Sequence, residues 1–188
     1  MALLYDAAVA WDKLLTVSYQ FTYGKKRRLH DISLSFQADQ FSHLSCAHYV
    51  RDVDLKNPYS KGEFLSMVLS GEIDAAAVEK SADWEDIKGR LEGIVRLESI
   101  LNGEFSLYLF RREILPFYSS ITANYLIKNL QTGESVFLFV DGPLNASFCK
   151  SIFTMTDRDY SKGQTKVSLL KKCKYTNGVE TILFNKLT

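Results

Sequence analysis

The chain contains few residues that break or cross-link a fold. Of its 188 residues only three are proline and three are cysteine, and no linker rich in serine and glycine is present. The cysteines, Cys46, Cys149 and Cys173, are odd in number and lack the spacing of metal ligands. This pattern argues against a disulfide framework and against a zinc site, and it favours a reducing, cytoplasmic compartment.

Long apolar runs and phosphate-binding loops are also missing. The longest apolar runs, such as Val136–Val140, are far too short to span a bilayer, and the N-terminus lacks the basic region of a signal peptide. No glycine-rich phosphate loop is present, which argues against an enzyme that uses nucleoside triphosphates. Asp157 and Asp159 could chelate a metal, but acids that flank an arginine more often form turns. We therefore expect no membrane contact, no metal and no cofactor.

Hydrophobic residues make up 46% of the chain, enough for the core of one domain. Apolar residues recur at helical spacing from Ala2 to Leu15, and they alternate with polar residues in 17–23 and 32–36. We expect residues 1–37 to form a helix and a β-hairpin. Residues 38–188 should form a helical segment and a sheet, in one compact unit with the N-terminal part.

The rest of the chain divides into a helical middle and a C-terminal half rich in strands. A helix is expected from Gln40 to about Val53, and further helices in 61–70, 74–80 and 83–101. Alternating runs predict strands, listed in chain order as 105–110, 121–128, 135–140, 148–155, 166–173 and 181–185. The predicted fold class is α+β, with helices packed against a C-terminal antiparallel sheet in which Val136–Val140 is a central strand.

Charge is unevenly distributed along the chain, although the formal net charge is only +1. Ten acids face four bases between Glu63 and Glu104, whereas seven bases face two acids between Lys150 and Lys174. A second basic group occupies residues 25–28. Such polarisation suits a polyanion on the basic side, and the alternative is a solvated strand surface.

The segment from Ser151 to Lys166 concentrates hydroxyls, an amide, a phenol and cations between two strand-like runs. Three residues of this segment have a functional and a structural interpretation. If they are not functional, Ser151 is an ordinary strand serine, Tyr160 is a sheet aromatic and Gln164 is an exposed turn residue. His43, near the start of a predicted helix, is either a general acid or base or a half-buried packing residue. His48 lies five positions later, about 140° around an α-helix, so we expect that these two imidazoles do not share a ligand.

Short motifs give the chain a family resemblance. They are Phe41-x-His43-Leu44, Ser151-x-Phe153, Asp159-Tyr-Ser-Lys-Gly-Gln164 and Leu169-Leu-Lys171. Their order resembles a phage and mobile-element domain grouped with the barnase, EndoU, colicin E5/D and RelE nucleases. Ser81, Ile87, Arg90 and 121–127 also lie where that domain's middle elements would be. The resemblance covers roughly Phe41 to Phe184 and does not account for the N-terminal helix and hairpin.

The resemblance implies a metal-independent ribonuclease in which the ribose 2′-hydroxyl attacks the adjacent phosphate. His43 would then be the acid or base, and Tyr160, Gln164 and Ser151 would position the phosphate or donate to it. The RNA phosphates would be bound by basic side chains, namely Arg158, Lys162, Lys166, Lys171 and Lys172. A phage origin implies the cytoplasm of a bacterial host. It also keeps a second interpretation open, a non-catalytic inhibitor of a host-defence ribonucleoprotein that resembles anti-CRISPR proteins.

Overall fold

The computed structural model describes residues 2–53, 55, 60–131, 134–155 and 158–187. The α-helices in this part of the chain are α1 (Leu3–Leu14), α2 (Ala38–Leu44), α3 (Glu63–Ser70), α4 (Ala75–Val78) and α5 (Trp84–Asn102). Short 3₁₀ turns occupy Ala47–Tyr49 and Arg112–Ile114. Among these described helices, none is long and apolar enough to cross a membrane.

Eight strands of the described chain form one sheet. They are β1 (Val17–Lys25), β2 (Arg28–Ser35), β3 (Ser106–Leu109), β4 (Tyr125–Gln131), β5 (Glu134–Asp141), β6 (Ser147–Met155), β7 (Thr165–Thr176) and β8 (Val179–Asn185). Their order is β1-β2-β6-β5-β4-β3-β7-β8, with a further pairing of β1 with β7. All pairs are antiparallel except the short β2–β6 pair.

The expected C-terminal antiparallel sheet with packed helices is wrong, because seven strands close into a barrel and β8 extends it. The N-terminal hairpin lies between β6 and β7 and closes the ring. Strand β7 makes this possible because it is long. Its first residues pair with β3, and the rest pair with β1 on one side and β8 on the other. Closure gives the edges of β6 and β7 partners that an open C-terminal sheet would leave unpaired.

The predicted central strand is confirmed, since Val136–Val140 lies in β5 between β4 and β6. Its residues alternate between two cores, as the pleat of a strand requires. Val136, Leu138 and Val140 join the main core with the helices and the N-terminal hairpin. Phe137 and Phe139 join a smaller core on the other face, beneath the connection between β3 and β4 and the segment before β7.

Helix α5 lies unusually close to strand β6, because two glycines on the helix face the strand. A Cβ atom on Gly93 would lie 2.9 Å from Cγ1 of Ile152, and one on Gly89 would lie 3.0 Å from Oγ1 of Thr154. Either distance is tighter than ordinary van der Waals contact. The glycines therefore bring the neighbouring side chain of Arg90 against β6.

The second helix is much shorter than expected. It ends at Leu44, and Cys46 then adopts a left-handed backbone conformation with φ of 54° before the 3₁₀ turn Ala47–Tyr49. The prediction of one helix from Gln40 to about Val53 is wrong. The reversal at Cys46 redirects the chain and decides where His48 lies.

Candidate active site

A groove with several basic and imidazole side chains runs along the seam between α2, α5 and β6. Its middle part, here called the central hollow, has a volume of about 180 Å³. The polar side chains that line it come from distant parts of the sequence and are His43, His48, Tyr49, Arg90, Ser120, Thr122, Lys150 and Ser151. The fold thus assembles a polar, mainly basic site from residues that are far apart in the chain.

Two further hollows adjoin the central one. The larger, here called the wide cleft, has a volume of about 510 Å³ and shares Arg90, Ser120 and Ile121 with the central hollow. A smaller hollow of about 240 Å³ shares His43 and His48 and adds Lys61. Because neighbouring hollows share lining residues, the three lie next to one another along this seam, and we refer to them together as the groove.

The two histidines of the central hollow lie side by side. Their ring centroids are 6.2 Å apart and the ring planes are within 3° of parallel. His48 also packs on Tyr49, at 4.3 Å between centroids. The premise behind the expectation that His43 and His48 do not share a ligand, a continuous helix, is wrong. The left-handed residue Cys46 breaks that helix and returns His48 to the same side.

The electrostatic environment of His43 favours its neutral form. Partial burial lowers its pKa below the ordinary value for histidine, and the nearby positive groups lower the pKa further. In decreasing order these groups are His48, Lys150, Arg90 and Lys61. At neutral pH His43 therefore carries an unprotonated ring nitrogen that can accept a proton.

Arg90 lies where the central hollow and the wide cleft meet. Its Nη1 donates a hydrogen bond to Oγ of Ser151 at 2.8 Å, and its guanidinium stands over the Phe153 ring at 5.4 Å. Ser151 is 7% exposed, so its hydroxyl holds the arginine more than it faces a ligand. In the sequence Arg90 stood out only through the resemblance. The glycines at positions 89 and 93, whose spacing brings α5 onto β6, were the signal that could have identified it.

The wide cleft contains two further residues that the sequence singled out, Arg158 and Tyr160. Tyr160 is 5% exposed and packs edge-on against Phe117, at 5.0 Å between ring centroids. Arg158 is exposed and stands over the same Phe117 ring at 5.5 Å. The structure therefore brings His43, Ser151, Arg158 and Tyr160 to one groove, with Tyr160 in the hollow next to that of His43.

Gln164 does not line this groove. Its amide is buried and grips the backbone of Arg111 with two hydrogen bonds: Arg111 N–H donates to Oε1 at 2.7 Å, and Nε2 donates to the Arg111 carbonyl at 2.9 Å. The paired bonds mimic a strand pair and fix the segment before β7 to the end of β3. Gln164 therefore stabilises the fold by satisfying the backbone groups of Arg111.

We expect Gln164→Ala to lower the free energy of unfolding by about 1–3 kcal/mol, because it leaves two backbone groups of Arg111 without partners. Urea denaturation at neutral pH measures this change. Lys162→Ala, an exposed substitution in the same turn, is the matched control and should stay within about 0.5 kcal/mol of the original chain. Equal stabilities for the two variants would contradict the structural task of Gln164.

The remaining lysines expected to bind phosphate do not form one stripe. Lys172 is 3% exposed, and its Nζ donates to the carbonyls of Asn102 and Gly103 at the end of α5. Burial lowers its pKa to about 8. Lys171 pairs with Glu180 at 3.4 Å. Lys162 and Lys166 are exposed, but neither lines the groove.

Acidic side chains around the groove show no metal-binding geometry in the described part of the chain. No group of three or more His, Cys, Asp or Glu residues there could hold a metal ion. Asp157 lies outside the described residues. Asp159 accepts hydrogen bonds from the Ser161 backbone at 2.9 Å and from Lys128 Nζ at 3.0 Å, so it acts as a turn residue.

Imidazoles and several cations in one groove are characteristic of a protein that binds phosphate groups and moves protons beside them. Comparison with protein-family models matches residues 3–185 to the family described as phage-Barnase-EndoU-ColicinE5/D-RelE like nuclease4. The chain belongs to this family of phage-type nucleases, and the resemblance seen in the motifs is confirmed. Neither the curated proteins nor the solved structures gave a match.

The family match also includes parts of the chain that the motifs left unexplained. It begins at residue 3 and so contains α1, β1 and β2. This agrees with the structure, in which the N-terminal hairpin closes the barrel. As a member of a nuclease family, the protein has a nucleic acid as its substrate.

Proposed function

We propose that this nuclease is an endoribonuclease that cleaves RNA by attack of the ribose 2′-hydroxyl on the adjacent phosphate, without a metal ion. The observation that carries the proposal is the pair of parallel imidazoles beside Arg90 and Lys150 in the central hollow. A base, an acid and positive charge are the three requirements of this reaction, and the chain's own side chains supply all of them.

His43 is the general base of the proposed reaction. Its lowered pKa keeps the imidazole neutral near pH 7, the form that can take the proton of the 2′-hydroxyl. The hydroxyl oxygen then forms a bond to phosphorus, and the bond from phosphorus to the 5′-oxygen breaks. The products are a 2′,3′-cyclic phosphate and a free 5′-hydroxyl.

His48 is the general acid. A phosphate beside two rings whose centroids are 6.2 Å apart can hydrogen-bond to both of them. In the proposed reaction His48 supplies the proton that the leaving 5′-oxygen needs. Burial and the nearby positive charges lower the pKa of His43, which is why we assign the role of base to His43 and the role of acid to His48.

Arg90 and Lys150 balance the charge that develops on the phosphate during attack. Arg90 is suited to this task because Ser151 and Phe153 hold its guanidinium in place, so little reorganisation is needed when charge develops. Arg158, farther along the groove, is placed to contact a neighbouring phosphate. Tyr160 supports this wall through its contact with Phe117.

The proposal predicts cleavage of single-stranded RNA in EDTA, with products that end in a 2′,3′-cyclic phosphate. Purified protein and end-labelled RNA suffice, with mass spectrometry of the fragments. The matched control is the same strand with 2′-deoxynucleotides throughout, which should resist cleavage because it has no attacking hydroxyl. Cleavage of the deoxy strand, or a strict need for a divalent ion, would contradict the mechanism. RNA binding without cleavage would favour a binding protein, such as an inhibitor of a host ribonucleoprotein.

A further inference from the structure

The wide cleft is lined by both acidic and basic side chains, whereas no acidic side chain of the described residues lines the central hollow. Arg90 and Arg158 line it together with two acids, Glu85 and Asp86, from the first turn of α5. Carboxylates repel a phosphate, so the acidic side of this cleft suits an uncharged part of a nucleic acid. At about 510 Å³ the cleft is also much larger than the central hollow of about 180 Å³.

An exposed aromatic ring belongs to the lining of this cleft. Tyr118 is 87% exposed. On one side of it Phe117 packs against Tyr160 at 5.0 Å between ring centroids, and on the other side Ser119 is buried and its Oγ accepts a hydrogen bond from the Ile121 backbone at 3.2 Å. Of these three successive side chains, that of Tyr118 is the one that faces solvent.

We propose that the wide cleft is a subsite for an unpaired nucleobase, which stacks on the ring of Tyr118. The base would belong to a nucleotide next to the cleaved bond, whose phosphate lies by Arg90 at the junction with the central hollow. The inference rests on the proposed function for the position of that phosphate. It identifies the substrate as a single strand, because in a duplex both faces of each base are covered by neighbouring bases.

Two features of the cleft support this assignment. The Tyr118 ring is exposed, so a base can stack on it without displacing a packed neighbour. Aromatic stacking accepts any base, and Arg90 and Arg158, which line the same cleft, attract the flanking phosphates. The cleft thereby combines the two components by which proteins hold single-stranded nucleic acids, an aromatic platform and a basic wall.

The test measures binding by His43→Ala protein, so that the RNA stays intact. Its ligands are a fluorescent twelve-nucleotide oligoadenylate and the same strand annealed to its complement. Adding Tyr118→Ala should weaken binding of the single strand by about 5- to 100-fold and leave duplex binding unchanged. Tyr118→Phe, also made in the His43→Ala protein, retains the ring and should bind the single strand as tightly as His43→Ala alone. Ile182→Ala removes an exposed apolar side chain on β8 that does not line the cleft, and should have no effect.

The outcomes separate the subsite from the proposed reaction. An unchanged single-strand affinity for Tyr118→Ala, or an equal loss for single strand and duplex, would overturn the subsite even if the parent chain cleaves RNA. If binding of the single strand depends on Tyr118 but the original chain never cuts that strand, the proposed reaction is overturned and the subsite is supported. Binding that depends on Lys162 or Lys166 but not on Tyr118 would likewise overturn the subsite.

Discussion

His43→Ala should reduce the rate of RNA cleavage by about 10²- to 10⁴-fold, the usual contribution of a positioned general base. Although His43 is partly buried, its side chain remains accessible to solvent, so the substitution should leave the melting temperature and the affinity for RNA nearly unchanged. Single-turnover kinetics on a labelled RNA, with thermal unfolding of the same preparation, measure the two quantities together. A packing histidine would behave differently, because its loss of activity would follow the unfolded fraction.

The chain offers a matched control in His30, which lies on β2 and stacks on Tyr23 at 5.1 Å. His30→Ala should cleave at the parent rate. The pH profile adds a second criterion. Since the pKa of His43 lies below the ordinary value of about 6.5, the decline of kcat/KM on the acid side of the pH profile should lie below that value. Lys150→Ala removes a positive charge that lowers this pKa, so it should move the decline to higher pH. A decline that does not move would exclude His43 as the titrating base.

Arg90→Ala should lower kcat by about 10²- to 10³-fold, the typical cost of removing one preorganised group that stabilises developing charge. The effect should appear in kcat more than in KM, because the charge on the phosphate increases only during attack. Arg90→Lys retains the charge but loses the planar guanidinium, which donates a hydrogen bond to Ser151 and lies over the Phe153 ring. It should therefore recover only part of the rate. Steady-state kinetics over a range of RNA concentrations separates kcat from KM.

Lys88→Ala is the control for this experiment, since Lys88 is another cation on α5 and does not line the groove. Its kcat should equal that of the parent chain. Thermal unfolding shows whether loss of the Ser151 contact loosens α5 from β6. A fall in kcat for Arg90→Ala that matches the fall for Lys88→Ala would mean that only general attraction of RNA is lost. That result would remove Arg90 from the reaction.

Much of the local structure was predictable from the residues. The helix of α1, the hairpin of β1 and β2, the long helix α5 and the inner strand β5 all follow from short-range periodicity. Asn177 and Gly178 both have positive φ, the backbone conformation that an Asn-Gly pair favours in a hairpin turn. These features depend on contacts within a few residues, so a local pattern is enough to predict them.

The candidate site was predictable only in part. His43, Ser151, Arg158 and Tyr160 were identified and meet in one groove, whereas Gln164 and Lys172 serve the fold. The role of His48 was missed because the sequence predicted a helix that continues through Cys46. The left-handed conformation of Cys46 is not indicated by any neighbouring residue. Chemical type identified residues able to do the chemistry, but it could not distinguish a lysine facing RNA from one facing the end of α5.

The sequence by itself determined the family, the local elements and the polar character of the segment after β6, because motifs and periodicity are properties of neighbouring residues. Only the tertiary structure decided that the barrel closes, that His48 lies beside His43 and that Arg90 contacts Ser151. Each of these depends on residues brought together from distant parts of the chain or on a single backbone reversal. Such contacts are set by packing of the whole core, and a short stretch of sequence does not predict that packing.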